Sequence, residues 1–378
     1  MTDVIVNAGT VVERDEMEYH AKDDYSLPAM IIQASRNSGR SQFAIAREMM
    51  KYARGKSKLK FAEYVQYGFH HLDRHTDAQK QEFISAYQHD HIVTECIDTR
   101  WSAVADDKWL SSVFLAADGT PQPETLAVVD MGERAYQNAN TISTPGALQA
   151  LLTDSLPFPL FCKYNNGIWS LGATVIEAAD STHIHLRGKE PISYQDFFRN
   201  YVGEHVFLIQ KFVQNHAFLR QYTPTTATVR MVNMWTDEGL WTPHAILKMP
   251  SAQNDADNFW RTGNLVCNLD VETGEVLTIV GKKGPELVRH ELHPETGLPL
   301  IGEILPYWQQ IQALNERVAA LHQPIRYSTQ DIAITDDGPV EIEFNYGGAF
   351  ELPQIATSRG FMTQRVLDFF RSCGSTRV

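Results

Sequence analysis

The sequence has few cysteines, no excess of positive charge and no long apolar run. The four cysteines are scattered without a CxxC pair, at Cys96, Cys162, Cys267 and Cys373. This argues against a disulfide framework or a zinc site and favours reduced thiols in a cytoplasmic protein. The formal charge is −13, so we expect no broad binding to nucleic acid or to an anionic membrane. No run is long enough to cross a bilayer, and the acidic first residues predict no signal peptide.

Familiar nucleotide and nucleophile motifs are also missing. The sequence has neither the GxGxxG fingerprint of dinucleotide-binding folds nor the GxSxG elbow of serine hydrolases. The stretch Gly55-Lys56-Ser57 looks like the end of a P-loop, but that motif needs a glycine five residues earlier, where Met50 stands. A nucleotide site, if there is one, must therefore use other residues.

The composition is that of a globular protein with a sizeable core. The chain has 378 residues, of which 43% are hydrophobic and 21% charged, which allows two or three domains. Residues 1 to about 25 are polar with little periodicity, and we expect a mobile arm there. Apolar spacing of three and four residues from Pro28 to about Cys96 predicts helices. We therefore assign 1–100 to a mainly helical N-terminal region.

The chain after Trp101 alternates between helices and strands. A small α/β unit is expected over 101–204, with an apolar strand at Leu160 to Tyr164. From 205 to 378, β-branched and aromatic alternation predicts a larger antiparallel sheet, closed by a last helix over about 358–370. The order helical region, α/β unit and larger sheet gives an α+β fold class.

A hairpin rich in acidic side chains stands out near the C-terminal end. Two apolar-alternating strands flank the turn Asp336-Asp337-Gly338-Pro339. Alternation places Glu341, Glu343 and Asn345 on one face of the second strand. With Asp331 on the first strand, these hard oxygen ligands suit Mg²⁺. The alternative is a solvated face on an edge hairpin.

Three basic side chains precede the hairpin at positions that favour a phosphate ligand. Lys108 begins the α/β unit, and Lys163 ends the strand Leu160 to Lys163. Arg230 lies inside the apolar segment 228–232, where a buried guanidinium needs a carboxylate or a phosphate partner. A snorkelling Lys163 and a simple ion pair between Arg230 and Glu343 remain the alternatives.

In this order, these features resemble the ATP-grasp superfamily, and most closely its sugar-transfer-associated or alpha-L-glutamate-ligase-like branch. The segments that carry the resemblance are Thr228-Val-Arg230, Asp257-Asn258-Phe259 with Gly263, and the hairpin from Asp331 to Asn345. The resemblance covers about residues 100 to 370. It implies two α/β subdomains that clasp ATP, here 101–204 and 205–378, preceded by the helical region.

The resemblance also implies roles for individual residues. Catalytic roles fall on Arg230 and Lys248, and a substrate-binding role falls on Asn258 and Arg261. The metal ligands implied are Asp331, Glu343 and Asn345. The implied ATP-binding residues are Lys108, Lys163, Gly167, Gly172, Gln210, Lys211, Phe212 and Val213. The stretch 210–213 corresponds to the hinge that binds adenine, and 163–172 corresponds to the glycine loop.

The function implied is an ATP- and Mg²⁺-dependent carboxylate–amine ligase that forms an amide through an acyl phosphate and releases ADP and phosphate. Its expected partners are a small carboxylate and an amine, without nucleic acid or membrane, and a homo-oligomer is left open. The alternatives are an ATP-grasp kinase that phosphorylates a small metabolite and a non-catalytic nucleotide-binding protein.

Overall fold

The structure, a computed structural model, describes residues 9–21, 26–154 and 156–378. Helices α1 to α14 cover Val11–Ala21, Leu27–Ser38, Gln42–Arg54, Phe61–Gln66, Asp77–Gln81, His89–Val93, Ser102–Asp106, Lys108–Asp118, Pro145–Thr153, Tyr194–Phe197, Ala217–Arg220, Trp308–Leu321, Glu351–Thr357 and Gln364–Ser372. Strands β1 to β14 cover Thr125–Val129, Thr141–Ile142, Leu160–Tyr164, Thr174–Ala179, His183–Leu186, Ile192–Ser193, Phe207–Lys211, Thr228–Thr236, Gly239–Met249, Leu265–Leu269, Ile279–Lys283, Glu286–His290, Tyr327–Thr335 and Gly338–Tyr346.

The first sheet has the strand order β2-β1-β7-β3-β4-β5-β6. Only β1 and β2 run parallel within it, and its other neighbours are antiparallel. The strand β7 lies between β1 and β3, although the predicted boundary at 204/205 assigns it to the C-terminal subdomain. That assignment is wrong for β7, because alternation identifies a strand but not the sheet in which it pairs.

The second sheet has the order β12-β11-β10-β9-β8-β13-β14, and every pair in it is antiparallel. Both of its faces are covered. Ala245 and Leu247 of β9 pack in one core with α12, whereas Ile246 packs in another with N-terminal helices and α13. The helical N-terminal region thus shares a core with this sheet.

The helix that begins the first unit is fixed by local sequence signals at both ends. The Asp107 carboxylate accepts a hydrogen bond from the Leu110 N–H (3.0 Å), which satisfies one of the free donors at the start of α8. Gly119 ends the helix with φ 71°, a left-handed conformation that glycine adopts without strain. This cap places Lys108 in the first turn of α8.

Two expectations about the chain ends need correction. Residues 11–21 form the helix α1, with Val11 and Val12 buried in the core of the first sheet, so this part is not a mobile arm. The expectation for residues 1–8 and 22–25 lies outside the described residues. The last helix, expected over about 358–370, begins only at Gln364, because Ser358 adopts φ 51° after α13 and the chain turns before α14. None of the helices in the described ranges is long and apolar enough to cross a membrane.

Candidate active site

A cleft with about 770 Å³ of empty space, part of it open to solvent, lies between the two sheets. Strands β3 and β7 of the first sheet and β8, β13 and β14 of the second contribute to its walls. The described residues that line it are Lys108, Pro123, Phe161, Lys163, Tyr164, Gly167, Ser170, Leu171, Ala173, Gln210, Lys211, Val213, Thr226, Thr228, Asp255, Ala256, Asp257, Asp331, Ile342 and Glu343. The fold therefore brings together most of the residues predicted from the sequence.

One end of the cleft is an apolar slot beside the hinge. The residues Pro123, Phe161, Val213 and Ile342 supply its apolar surface. Gln210 is buried next to it and donates a hydrogen bond to the Thr125 hydroxyl (3.0 Å). A slot with apolar walls and a few fixed polar groups suits a planar purine ring.

The other two hinge residues have partners away from the slot. Lys211 is exposed and its ammonium lies 2.5 Å from the carboxylate of Glu124. Phe212 is covered by the guanidinium of Arg187, 5.4 Å from the ring centre, and is not among the described residues that line the cleft. A contact of the Phe212 side chain with the nucleotide is therefore not supported, whereas Val213 remains in place for one.

The cleft also carries a carboxylate that faces two lysines. Glu343 forms an ion pair with Lys108 (2.9 Å), and Lys108 also donates to the carbonyl oxygen of Gly167. Burial acts to raise the pKa of Glu343, but the charges of Lys108 and Lys163 outweigh it and lower that pKa. Burial lowers the pKa of Lys163 to about 8, against the attraction of Glu343. Within the described chain, the hydrogen bond of the Lys163 ammonium is a long one, 3.5 Å to the Ile342 carbonyl.

Asp331 is held by two cations at the floor of the cleft. Arg230 donates to it through Nε (2.8 Å) and Nη2 (2.7 Å), and the Lys248 ammonium lies 2.9 Å from Oδ2. Burial would raise the pKa of Asp331, but the charges of Arg230 and Lys248 prevail and keep it well below its usual value. Lys248 also pairs with Asp257 (3.0 Å).

Arg230 and Lys248, which the resemblance predicts to be catalytic, lie next to the carboxylates of the cleft. Among the described residues that line the cleft, Asp331 is present, whereas Arg230 and Lys248 are absent. Both cations contact Asp331, and Lys248 also contacts Asp257. In this geometry they orient carboxylates of the cleft wall, and direct contact with a reacting group stays a prediction.

A β-bulge changes which side chains share a face of the acidic hairpin. Asp331 lies opposite Glu343, but the next residue, Ile332, lies opposite Glu341, so Ile342 is an extra residue in β14. Residues directly opposite in an antiparallel pair point to the same face. Glu341 therefore faces the Ile332 side, away from Glu343 and Asn345, and the expectation that all three share a face is wrong.

Glu341 is buried without a hydrogen-bond partner. Its exposure is 1%, and neither carboxylate oxygen has a partner in the part of the chain that the structure describes. Burial, with the nearby charges of Asp331 and Glu343, raises its pKa well above the ordinary value. Below its pKa in the unfolded state, Glu341 is protonated in both states, and its ionisation does not change the free energy of unfolding. At higher pH the carboxyl ionises in the unfolded state but not in the folded state, so the free energy of unfolding falls.

This arrangement predicts a pH-dependent gain in stability for Glu341→Gln. At about pH 8 the variant should be more stable than the wild type by about 1–3 kcal/mol, because the unfolded wild type gains free energy by ionising Glu341 and glutamine does not titrate. At about pH 4 the two proteins should unfold at nearly the same denaturant concentration, since the carboxyl is neutral in both states. Urea unfolding at both pH values measures this difference. A constant difference across that range would contradict the assignment of a buried carboxyl to this position.

The predicted substrate residues hold the glycine loop. The Asn258 side-chain amide donates to the Trp169 carbonyl (2.5 Å), and Arg261 donates to the Ser170 carbonyl (3.1 Å). Neither Asn258 nor Arg261 is among the described residues that line the cleft, so their substrate-binding role stays a prediction. Gly172, which was predicted to bind ATP, donates its N–H to Asp15 (2.8 Å).

Several residues of the cleft were not predicted from the sequence. Phe161 and Ile342 look like ordinary strand residues, and their place in the slot depends on how the two sheets face each other. Asp257 did have a signal, because it precedes Asn258 in a segment that carries the family resemblance. Thr228 had the same kind of signal, as the first residue of the segment 228–230, whereas Asp255 had none.

Comparison with protein families identifies the fold. A family model described as sugar-transfer associated ATP-grasp matches residues 89–368, well over half of the chain. The chain belongs to this family. Its two sheets are the two halves of an ATP-grasp fold, and membership supports an ATP-dependent enzyme at the level of the superfamily. The α+β ATP-grasp prediction is confirmed.

Solved structures show distant likenesses to this ATP-grasp protein. The D-alanine-D-alanine ligase of Helicobacter pylori is 10% identical, with 71% of this chain and 58% of that chain covered and a TM-score of 0.38. The VanG D-Ala:D-Ser ligase of Enterococcus faecalis is 12% identical, with coverages of 73% and 64% and a TM-score of 0.40. The ADP complex of purK, an N5-carboxyaminoimidazole ribonucleotide synthetase, is 10% identical, with coverages of 65% and 46% and a TM-score of 0.37.

The assignment of this chain to its family does not depend on these structural likenesses. The chain spans less than two thirds of each of the three proteins, and the TM-scores all lie below 0.5. A comparison with curated proteins finds no match. Membership of the ATP-grasp family therefore rests on the match over residues 89–368.

The donors at the acidic end of the cleft fit a magnesium ion in part. Glu343 and Asn345 point to one face of β14, but Asn345 is not among the described residues that line the cleft, and its buried amide nitrogen has no partner in the described chain. Asp331 would have to exchange an ion pair for a metal contact. No group of three His, Cys, Asp or Glu side chains suited to a metal ion occurs within the described ranges. Mg²⁺ usually needs only one or two protein carboxylates, because water and phosphate oxygens complete its coordination.

Proposed function

We propose that this ATP-grasp protein is an ATP- and magnesium-dependent ligase that joins a small carboxylate to an amine through an acyl phosphate, releasing ADP and phosphate. The observation that carries the proposal is the polarity of the cleft. An apolar slot at the hinge leads to Lys108 and Lys163, which face Glu343 across the two sheets. This sequence of surfaces matches the sequence of groups in ATP, an apolar base followed by phosphates.

The slot and the lysines would bind the nucleotide. The purine ring fits between the Phe161 and Ile342 sides of the slot, with backbone groups of the hinge 210–213 at its edge. Lys163 has a single long hydrogen bond and no ion pair among the described contacts, so its ammonium is the group best placed to bind phosphate oxygens. Lys108 would exchange part of its contact with Glu343 for the phosphate.

Glu343 and Asn345 would hold the metal that accompanies the nucleotide. A bound Mg²⁺ supplies charge neutralisation between the β- and γ-phosphates. Asp331 lines the cleft beside them, and Arg230 with Lys248 keeps it ionised and fixed in orientation. The carboxylates of the wall are thereby set before the nucleotide enters, which lowers the reorganisation needed during the reaction.

The chemistry then proceeds in two steps. An oxygen of the substrate carboxylate attacks the γ-phosphorus in line, the bond to the ADP oxygen breaks, and an acyl phosphate forms. The amine nitrogen then attacks the acyl carbon, the bond to phosphate breaks, and the nitrogen loses a proton as the amide forms. Contacts between the sheets at Asn258 and Arg261 would help to exclude water from the acyl phosphate.

Product analysis tests the proposed reaction. The purified protein is incubated with ATP, Mg²⁺, a panel of small carboxylic acids and hydroxylamine as the amine. ADP and a hydroxamate are the expected products. AMP with pyrophosphate would contradict the proposal. ADP with a stable phosphorylated product that forms without an amine would assign the protein as a kinase instead.

The pKa of Lys163 predicts how ATP affinity depends on pH. Only the protonated form of Lys163 attracts phosphate. Because its pKa is about 8, the affinity for ATP should fall above that pH by up to about tenfold per pH unit. Lys163→Arg keeps its charge, so its affinity should vary much less over the same range. Calorimetric titration with ATP between about pH 7 and about pH 9.5 measures both proteins. Lys211→Arg, at the exposed lysine of the hinge, is the control and should follow the wild-type curve. Parallel curves for wild type and Lys163→Arg would contradict this role.

A further inference from the structure

The helix α1 lies outside the segment that matches the family model, yet it packs against the glycine loop. Val11 and Val12 are buried in the core of the first sheet. A Cβ placed on Gly172 would lie 3.0 Å from Cγ2 of Val12, so the loop backbone approaches the helix closely. This contact joins the beginning of the described chain to the wall of the cleft.

Asp15 provides the polar part of that contact. Its Oδ2 accepts the hydrogen bond from the Gly172 N–H (2.8 Å) and lies 3.8 Å from the Arg261 guanidinium. Arg261 in turn donates to the Ser170 carbonyl (3.1 Å). One carboxylate is thus linked to two positions of the loop, directly at Gly172 and through Arg261 at Ser170.

The loop needs such contacts because its backbone is strained. Trp169 and Ser170 adopt φ values of 55° and 59°, and Gly172 has φ 66°. The left-handed conformation is unfavourable for any residue that has a Cβ atom. Two consecutive residues in this conformation persist only where surrounding contacts hold them. Asn258 and Arg261 donate hydrogen bonds to the loop and Asp15 accepts one from it, which provides such contacts.

We infer that Asp15 is a positioning residue for residues 164–172 of the glycine loop. Of these, Tyr164, Gly167, Ser170 and Leu171 line the cleft. Its carboxylate fixes the loop in the conformation that faces the phosphates, so nucleotide affinity depends on a residue outside the matched family segment. The effect on ATP rests on the proposed function, whereas the effect on loop order does not. A residue of the N-terminal helix thereby becomes part of the nucleotide site.

Hydrogen exchange and kinetics on the full chain test this inference together. In Asp15→Ala, the amides of the loop 164–172 should exchange at least about tenfold faster than in the wild type, the factor that corresponds to one charge-assisted hydrogen bond. The KM for MgATP should rise by about the same factor, with kcat within about twofold. Asp15→Asn can still accept the Gly172 N–H but offers no charge to Arg261, so it should show intermediate values in both measurements.

Glu13→Ala is the matched control on the same helix. Glu13 accepts the Thr10 N–H (2.6 Å) at the start of α1 and is exposed to solvent. This variant should leave loop exchange and the KM unchanged. Equal acceleration in Glu13→Ala and Asp15→Ala would show that only helix stability matters and would overturn the inference, as would unchanged loop exchange in Asp15→Ala. If no acid supports ATP turnover, the proposed function fails, and exchange in the free protein still decides the role of Asp15.

Discussion

Glu343→Gln is expected to lower kcat about a thousandfold, which corresponds to several kcal/mol of transition-state stabilisation. The substitution keeps the shape of the side chain but removes the negative charge that faces Lys108 at 2.9 Å and Lys163. Without that charge the cleft would lose the main metal ligand that we propose, because Asp331 is already bound by Arg230 and Lys248. Steady-state ADP release under saturating ATP and Mg²⁺ measures the effect.

The same strand supplies the control for this substitution. Glu341→Gln makes the identical chemical change two residues away, but its side chain lies on the opposite face because of the bulge. Glu341 lies near Lys108 and Lys163, but no described residue forms a hydrogen bond or an ion pair with its carboxylate. The kcat of Glu341→Gln should therefore stay within a few-fold of the wild-type value. An equal loss of kcat in both variants would show that any substitution in this strand impairs turnover. An unchanged kcat in Glu343→Gln would contradict the metal-site assignment.

Asp331→Ala is expected to destabilise the protein by about 3–5 kcal/mol, the usual cost of removing one partner from a buried ion pair. Asp331 is 3% exposed, and its removal leaves Arg230 without its carboxylate and Lys248 with Asp257 alone. The free energy of unfolding from urea titrations measures the loss. Asp331 has a lowered pKa, so its contribution is present at neutral pH and disappears only as pH falls through the folded-state pKa in strong acid.

Asp368→Ala is a suitable control for the ion-pair argument. Asp368 pairs with Arg371 on the exposed side of α14 at 3.3 Å. Surface pairs of this kind contribute about 1 kcal/mol or less, so the variant should unfold close to the wild type. A similar stability for Asp331→Ala and Asp368→Ala would contradict the view that the cleft floor is a tightly coupled group of buried charges.

The sequence predicts the elements of this protein better than their arrangement. The strand Leu160–Tyr164 has the bounds that its apolar residues predict, because strand propensity acts over a few residues. The sheet to which β7 belongs depends on contacts between distant segments. No local pattern of apolar residues contains that information.

The acidic hairpin shows the same limit within the site. Its two strands and the pairing of Asp331 with Glu343 agree with the alternation of side chains, but the extra residue Ile342 reverses the face of Glu341. A bulge leaves no mark in a pattern of apolar and polar residues, because the same letters fit a regular strand. The side-chain partners of Arg230, Asn258 and Arg261 likewise depend on distances that only the folded chain defines.

The central claim is that magnesium and nucleotide bind between Glu343 and the lysines of the first sheet. The most direct test is a crystal structure with a non-hydrolysable ATP analogue and Mn²⁺, which takes magnesium sites and gives an anomalous signal. The account predicts an anomalous peak at about 2.0–2.3 Å from oxygens of Glu343 and Asn345, with Lys163 on the phosphates and the base between Phe161 and Ile342. A nucleotide bound elsewhere, or a metal without contact to Glu343, would contradict it.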